Sequence, residues 1–295
     1  MERWTAYAAA SALAACGDGE GGSGPEPLDP DAAVALTGSA PPVEAVADQA
    51  ARAAAISDRI DSLILSTLYG EIEGEDFILA TNCRGTRCTL TAPRTRRSIT
   101  ITLEDLRNTE SEDGRSLAVL TKNGVTLIEE RGGAGGADSR DYGGWLDHSA
   151  FQLEAGIAVT ADSGQTLTAR GASAAGDLTG SRPAASAKWR GLMVGTPARG
   201  DRREGVLQGD AELNYRFGSR TLAADFTGIV DLDRNAPHTV SEVRFPSVPV
   251  AADGTYGAGG VGNRIQGGFA GPDHAETAGI FERRGIVGAF GAKRR

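Results

Sequence analysis

The sequence predicts a mainly β protein: an eight-stranded antiparallel, soluble β-barrel over residues 139–295, preceded by a small α+β subdomain (a helix plus a meander) over residues 43–138. Three observations support this fold class. The chain has 41 Gly but only 5% aromatic residues, which is typical of short strands and tight turns. Residues 207–232 alternate apolar and polar side chains, as a half-buried hairpin does. Residues 43–68 instead carry apolar side chains every three or four positions, which indicates a helix.

The composition also excludes some classes of protein. The net charge of −9 argues against a nucleic-acid-binding surface. No stretch of eighteen apolar residues occurs, so the sequence predicts no membrane-spanning helix.

The N-terminus resembles a lipoprotein leader. An Ala-rich apolar run ends in Leu13-Ala14-Ala15-Cys16, the spacing of a lipobox, although small residues before a cysteine also occur by chance. We therefore expect residues 1–15 to be a signal peptide and Cys16 to be lipidated. Residues 16–42 are rich in Gly, Pro, Ser and acidic residues, which predicts a disordered tether. We therefore expect the protein to be lipid-anchored at the outer membrane, on the cell-surface or the periplasmic face.

The α+β subdomain begins with the helical period of Val43–Leu68, which starts after Pro41-Pro42 and stops at Gly70. Its apolar face is expected to cover a small sheet. Five short strands follow in the prediction, and the last two flank Asn123-Gly124, a strong hairpin signal: Phe77–Asn82, Arg87–Thr91, Ser98–Leu103, Leu117–Lys122 and Val125–Glu130.

Two cysteines remain after Cys16. Cys83 and Cys88 flank Arg-Gly-Thr-Arg, and in an oxidising compartment they are expected to form a disulfide at the base of a hairpin. The alternative is half of a zinc site, but no second Cys or His pair is present to complete one.

A Gly-rich break at residues 131–138 marks the expected domain boundary, and roughly eight strand candidates follow it: Gly144–Leu153, Ile157–Thr160 with Thr166–Ala172, Ala187–Thr196, Gly205–Phe217, Thr221–Leu232, Val240–Val250, Thr255–Phe269 and Ile280–Ala292. Eight such strands close into a barrel just wide enough for side chains. An outer-membrane barrel would turn the apolar faces outward and needs aromatic girdles. With so few aromatics, we expect the apolar faces to point inward.

Two of these strands show their faces clearly. In the first, Leu207, Gly209, Ala211, Leu213, Tyr215 and Phe217 share one face. In the second, the apolar face is predicted to hold Leu222, Ala224, Phe226, Gly228, Val230 and Leu232.

The last thirty residues contain a distinctive pattern. They include Gly268-Phe269, Gly271-Pro272, Glu276, Gly279, Phe281 and the Gly288-to-Lys293 run. This pattern resembles the C-terminal end of the β-barrel domain in transferrin-binding protein B and related Gram-negative surface lipoproteins, with Ala270 and Ala278 departing from it. The match is strongest at residues 265–295 and looser over 140–295. The resemblance implies a barrel accompanied by a "handle" subdomain, and a receptor for a host iron protein beside an outer-membrane transporter.

The residues show no catalytic constellation, cofactor motif or metal site, so we expect a non-enzymatic protein without cofactors. His148 beside Asp147, His238 in a turn, and His274 between Asp273 and Glu276 are interpreted as surface residues rather than a base or metal ligands. The predicted contact loops are Ala174–Ala187, Asp233–Thr239, and Pro197–Glu204 with its cluster Arg199, Arg202 and Arg203.

Three functions remain open at this point. The first is a membrane-anchored surface lipoprotein that binds a protein or other macromolecular ligand, linked to nutrient (iron) acquisition. The second is a lipocalin-like carrier of a small apolar ligand or haem inside the barrel. The third is a structural envelope lipoprotein.

Overall fold

The computed structural model describes residues 4–6, 43–72, 75–92, 96, 98–102, 115–132, 139–161, 166–198 and 205–295. They form one helix and two antiparallel sheets. The helix is α1 (Val43–Ile56), and the first sheet contains β1 (Trp4–Ala6), β2 (Ser62–Leu65), β3 (Leu68–Ile72), β4 (Glu75–Arg84), β5 (Arg87–Thr91), β6 (Ser98–Thr102), β7 (Arg115–Lys122), β8 (Val125–Gly132), β9 (Ser139–Trp145), β10 (Ser149–Ala161) and β11 (Thr166–Gly176). The second contains β12 (Ala187–Pro197), β13 (Leu207–Arg216), β14 (Thr221–Asp231), β15 (Ala236–Pro237), β16 (Glu242–Pro249), β17 (Thr255–Gly260), β18 (Asn263–Ala270), β19 (Glu276–Arg283) and β20 (Ile286–Arg294).

Helix α1 is shorter than its sequence period predicts. It ends at Ile56, and Ser62–Leu65 form β2 instead of the last helical turn. Leu63 and Leu65 are buried at alternate positions of this strand. This is the period of two of a β-strand, although in the sequence Leu63 also fits the helical spacing. No helix among the described segments has the length and apolarity needed to cross a bilayer.

The first sheet runs in the order β6-β5-β4-β3-β11-β10-β9-β8-β7, with β1 on β10 and β2 on β11. The predicted hairpins are present: β7 and β8 are joined by Asn123-Gly124, where both residues have positive φ, 57° and 75°, as a type I′ turn requires. Strands β9 to β11 belong to this sheet and not to the barrel. The chain therefore changes sheet between Gly176 and Ala187, later than the expected boundary at residues 138/139.

The second sheet closes into an eight-stranded barrel. Strands β12, β13, β14 and β16 pair in succession, as do β17 to β20. Strand β20 pairs with β12 over nine residues, from Trp189–Arg294 to Pro197–Ile286. A bridge between Val250 and Tyr256 joins β16 to β17 and completes the ring. The expected final hairpin thus seals the barrel, but its partner is Ala187–Pro197, because the earlier strand candidates lie in the first sheet.

The barrel interior is filled with aromatic side chains. The ring of Trp189 stacks on Phe269 at 4.7 Å between centroids, and the ring of Phe226 lies 4.4 Å from Phe281 and 5.1 Å from Phe290. All five side chains are fully buried. Inward-facing Gly279 makes room for them, because a Cβ there would lie 2.7 Å from the Phe290 ring.

This filling contradicts the expectation of an interior cavity for a small ligand. The scarcity of aromatics in the whole chain suggested few large core residues, yet eight Phe, Tyr and Trp residues are concentrated inside the barrel. A cavity of about 10 Å³, room for about one water molecule, lies between the two sheets rather than inside the barrel.

A β-bulge changes the predicted face of β14. The register shifts between Gln208 and Asp210, so Gly228 and Ile229 lie opposite a single residue of β13, and Gly228 has a φ of 61°. Beyond the bulge, Ile229 points into the barrel, whereas Val230 and Leu232 pack outward against the first sheet. The predicted single apolar face is therefore correct only up to Phe226. Phe217, placed on the inner face of β13, is 51% exposed, because it enters the turn after that strand.

The two sheets pack against each other along one side of the barrel. Outward-facing aliphatic residues of β12, β19 and β20, such as Leu192, Ile280 and Ala289, share a core with residues of the first sheet, including Phe151 and Leu153. These barrel strands are consequently buried on both faces, which explains why they read as nearly continuous apolar runs.

Candidate binding surfaces

The barrel has two ends with different coverings. We call the end formed by residues 197–198, 205–206, 232–241, 261–262 and 284–285 the loop rim. We call the opposite end, formed by residues 216–221, 249–255, 270–276 and 293–295 with the start of β12, the cap rim. Of the three predicted contact loops, Asp233–Thr239 lies at the loop rim, as do Pro197 and Ala198, the described residues of the loop Pro197–Glu204.

Hydrogen bonds hold the loop rim in place. The Oδ1 atom of Asp231 accepts from the backbone N–H groups of Asp233 and Arg234, both at 3.1 Å. The N–H of Leu232 donates to the carbonyl of Val206 at 3.0 Å. The β14–β16 connection is thereby tied to Val206, just before β13, so it is presented by rigid strands.

The exposed side chains of the loop rim are mixed in character. Val261 is 53% exposed, and the side chain of Arg234 is 57% exposed. Arg284 donates to the carbonyl of Glu242 at 3.2 Å. The guanidinium of Arg283 lies 4.9 Å from the centroid of the Phe245 ring. Cationic and apolar side chains exposed on the same rim are suited to recognising another macromolecule.

The predicted cluster Arg199, Arg202 and Arg203 lies outside the described residues. The segment that carries it is attached at the loop rim, because the N–H of Ala198 donates to the carbonyl of Gly285 at 2.8 Å. Cys16 and the expected tether also lie outside the described residues.

The third predicted contact loop has a different role. Ala174–Gly176 belong to β11, and residues 177–186 cross the cap rim. The N–H and hydroxyl of Thr179 donate to the carbonyl of Phe269 at 3.0 and 2.7 Å, and Leu178 bridges to Ala270. This segment therefore covers the barrel end while connecting the two sheets.

The histidines are held by structural contacts. The ring of His148 abuts Gly271, where a Cβ would lie 2.4 Å from it. The Nδ1 atom of His238 accepts from the N–H of Val240 at 3.2 Å. The Nε2 atom of His274 lies 2.9 Å from the carbonyl oxygen of Ser181. Across the described parts of the chain, no group of three His, Cys, Asp or Glu residues is arranged to hold a metal ion.

Asp147 does not orient His148 as a base. Its carboxylate instead binds Arg52 of α1 and, at 2.8 Å, Lys293 of β20. Burial raises the pKa of Asp147, but hydrogen bonding and charge from Lys293 and charge from Arg52 outweigh burial and leave the pKa below its usual value. This carboxylate joins three elements of the fold.

The sequence pattern missed two buried carboxylates that connect the sheets. Glu276 and Glu282 lie on the outward face of β19 and are 2% and 1% exposed. Glu276 accepts from the N–H groups of Asp147 and His148 and from the hydroxyl of Ser149, each at 2.9 Å. It therefore holds the β9–β10 turn of the first sheet.

Glu282 holds the connection between β2 and β3. Its Oε1 accepts from the N–H of Thr67 at 2.8 Å and from Arg264 Nε at 2.6 Å, and its Oε2 accepts from the N–H of Gly262 at 2.7 Å. Burial raises the pKa of Glu282, but the charge of Arg264 and these hydrogen bonds bring the net pKa below its usual value. The carboxylate is thus held ionised between the sheets.

Cys83 and Cys88 form the expected disulfide. They are paired across the β4–β5 hairpin, and Cys88 is fully buried in a small core with Leu63, Leu65 and Leu90. The pairing is the one that the sequence predicted, but the crosslink lies near the tip of this hairpin rather than at its base.

Comparison with known proteins gives matches among solved structures. No protein-family model and no curated protein sequence matches the chain. The intact Ap-TbpB with N and C lobes matches with 15% identity and a TM-score of 0.34, covering 78% of this chain and 46% of that one. A double mutant of transferrin-binding protein B from Haemophilus parasuis Hp5 matches with 12% identity and a TM-score of 0.36, covering 75% and 53%. The N-lobe domain of lactoferrin-binding protein B from Moraxella bovis matches with 13% identity and a TM-score of 0.30, covering 55% and 81%.

The chain thus spans about half the length of the first two of these solved proteins. They come from the group of proteins that the C-terminal sequence pattern resembles. Since the TM-scores are below 0.5, what these proteins bind is not transferred to this chain by the comparison.

Proposed function

We propose that this chain is a lipid-anchored surface protein that binds a macromolecular ligand through its loop rim and performs no catalysis. The observation that carries the proposal is a rigid, internally filled barrel in which the connection after β14 is tied to Val206, just before β13, by the hydrogen bond from the N–H of Leu232. A scaffold that presents loops in a fixed geometry is suited to recognition.

The filled interior disfavours the carrier alternative, because a ligand would have to displace the stacked rings of Phe226 and Phe281. The structural-envelope alternative gives no role to the exposed side chains of the loop rim, such as Val261 and Arg234. A structural envelope protein would need no defined binding surface, so the loop-rim variants described below also separate these two functions.

The location and partners belong to the same proposal. The lipobox at Cys16 and the tether at residues 16–42 support anchoring at the outer membrane. Processing at Cys16 would remove β1, which lies within the expected signal peptide and pairs with Val159–Ala161 of β10. By its resemblance to transferrin-binding protein B, the ligand is expected to be a protein connected with iron acquisition, delivered to an outer-membrane transporter.

Affinity capture with a matched pair of variants tests the binding proposal. The bait is the full chain carrying Cys16→Ser, so that no acyl group contributes. Removing one arginine and one half-exposed apolar residue from the loop rim, in Arg234→Ala with Val261→Ser, should weaken capture of the ligand at least about tenfold, as loss of an interface hot spot does. The equivalent change at the cap rim, Arg216→Ala with Phe217→Ser, is the control. Equal capture by both variants would contradict a loop-rim site.

Metabolic labelling with a palmitate analogue tests the anchor separately. The wild-type chain should be labelled and Cys16→Ser should not. Unchanged labelling of the variant would remove the lipid anchor from the proposal and leave the loop-rim site untouched.

A further inference from the structure

The cap rim carries a concentration of positive charge in a chain whose net charge is −9. Five cationic residues are exposed along neighbouring elements of this rim, and Arg182 is half-buried in the covering segment. The five are Lys188 of β12, Arg216 and Arg220 at the end of β13 and its turn, and Arg294 and Arg295 at the end of β20. Because β20, β12 and β13 are paired neighbours, these cations form a continuous arc, which we call the basic arc.

The carboxylates near the basic arc form no ion pair with its five cations, although the charge of Lys188 helps to lower the pKa of Glu212. Glu212 pairs with Arg190 at 3.1 Å and accepts from Asn214. Asp253 accepts from the N–H and hydroxyl of its neighbour Thr255. Asp273 is the remaining exposed carboxylate of this rim, and Arg294 donates to its backbone carbonyl rather than to its side chain. Among the described residues, no carboxylate forms an ion pair with any of the five exposed cations.

An exposed aromatic residue lies within the basic arc. Phe217 is 51% exposed at the tip of the β13–β14 hairpin, between Arg216 and Arg220. Its backbone N–H is held by the hydroxyl of Ser186 at 3.0 Å, which fixes the direction of the tip. A cationic surface with a protruding aromatic side chain is the combination that binds the interface of an anionic bilayer.

The position of α1 agrees with a membrane on this side. Arg52 of α1 and Lys293 of β20 both bind Asp147, so the first element after the expected tether packs beside the cap rim. A chain anchored before α1 is therefore attached on the cap-rim side, and the expected tether allows that rim to reach the membrane.

We propose that the cap rim docks on an anionic membrane surface through the basic arc and Phe217, and so turns the loop rim away from the membrane. The negative net charge opposes this contact, but a surface charge acts mainly within a Debye length, about 8 Å at physiological salt. The charges of the basic arc therefore dominate the electrostatic interaction of the protein with the membrane. This contact adds to the lipid anchor and does not require it.

Vesicle sedimentation with the full chain carrying Cys16→Ser tests the proposal without acylation. The chain should bind vesicles of phosphatidylcholine containing about one-third phosphatidylglycerol, and bind pure phosphatidylcholine far more weakly. Binding should fall as salt rises. Failure to bind the anionic vesicles overturns the proposal while leaving the loop-rim function intact.

A charge-matched pair of variants separates the basic arc from the overall charge. Lys188→Gln, Arg216→Gln and Arg220→Gln together should reduce the partition coefficient by about fivefold for each charge removed. Arg84→Gln, Arg87→Gln and Arg234→Gln remove three exposed cations elsewhere and should leave the partition coefficient nearly unchanged. An equal loss in both variants would show a general charge effect and overturn the assignment.

The aromatic residue distinguishes a membrane from a soluble polyanion. Phe217→Ser should weaken binding to anionic vesicles several-fold, whereas Val261→Ser, which removes a similarly exposed apolar residue at the loop rim, should not. If Phe217→Ser has no effect and heparin competes fully for the arc, the cap rim is a polyanion site and the membrane assignment is overturned.

Discussion

The barrel interior and the seam between the two sheets are both fully buried, yet they are built from different chemistry. The interior contains stacked rings such as Phe226, Phe281 and Phe290. The seam combines aliphatic side chains with two carboxylates, Glu276 and Glu282. Apolar packing is strong but has little directionality, whereas each buried carboxylate requires particular donors. The difference suggests that the interior stabilises the closed barrel and that the seam carboxylates set how the first sheet sits on it.

The largest effect is expected in the interior. Phe226→Ala removes a fully buried ring that contacts three other rings, those of Phe245, Phe281 and Phe290. The change should lower the free energy of unfolding by about 3–5 kcal/mol. Chemical denaturation measures this loss. The control is Phe217→Ala, a half-exposed ring, with an expected change below about 0.5 kcal/mol. Similar losses in both variants would mean that the interior is not close-packed.

Glu282→Gln should have the next largest effect. It leaves the guanidinium of Arg264, 10% exposed, without its charged partner, and the loss is expected to be about 3 kcal/mol. Limited proteolysis should also cut the first sheet sooner than the barrel, because the contact to the β2–β3 connection is weakened. A variant in which both sheets become equally susceptible would contradict a seam-specific role.

Glu276→Gln should cause a smaller loss of stability, because in the described parts of the chain no cationic side chain donates a hydrogen bond to this carboxylate. The amide would direct N–H donors at the backbone donors of Asp147 and His148, so a loss of about 2 kcal/mol is expected. Asp273→Asn, an exposed change three residues away, provides the control with an expected change below about 0.5 kcal/mol. A loss for Glu276→Gln as small as that of the control would remove Glu276 from the seam contacts.

A smaller effect is the contribution of Glu282 to the pH dependence of stability. The net pKa of Glu282 is below its ordinary value of 4.5, so its stabilisation is fully present above about pH 4.5 and is lost as the pH falls through the folded-state pKa. Denaturation midpoints measured between about pH 3 and 7 should therefore fall less steeply with acid in Glu282→Gln than in the wild type. Parallel curves would contradict this linkage.

A carboxylate of the first sheet is expected to show the opposite sign. Burial, together with the charge of Asp141, raises the pKa of Glu154 well above its ordinary value. The folded state then holds a proton that the unfolded state has released, so stability falls as pH rises through this window. Glu154→Gln should raise the denaturation midpoint at neutral pH and change it little in acid, where the carboxyl is protonated in both states.

Much of the strand pattern could be predicted from local sequence. The Asn123-Gly124 turn, the Cys83–Cys88 hairpin and the alternation of Leu213 with Asn214 depend on neighbouring residues, and the structure contains all three. The inward apolar faces and the closing β19–β20 hairpin were predicted on the same basis. Loop recognition was predicted as well, but the segment 177–186 proved to be a cover because its partners, Phe269 and Ala270, are far away in sequence.

What the sequence determined by itself was therefore the identity of the strands, their turns and their period of two, because these follow from side-chain direction and from the φ values that Asn and Gly tolerate. Only the tertiary structure decided which sheet β9 to β11 join and that Gly228 moves Val230 and Leu232 outward. It also decided that Glu276 and Glu282 hold the two sheets together. The physical reason is that the alternation within a strand does not identify its partner strand. The hydrogen bonds that Glu276 and Glu282 make to the first sheet join residues 128 and 215 positions apart in the sequence.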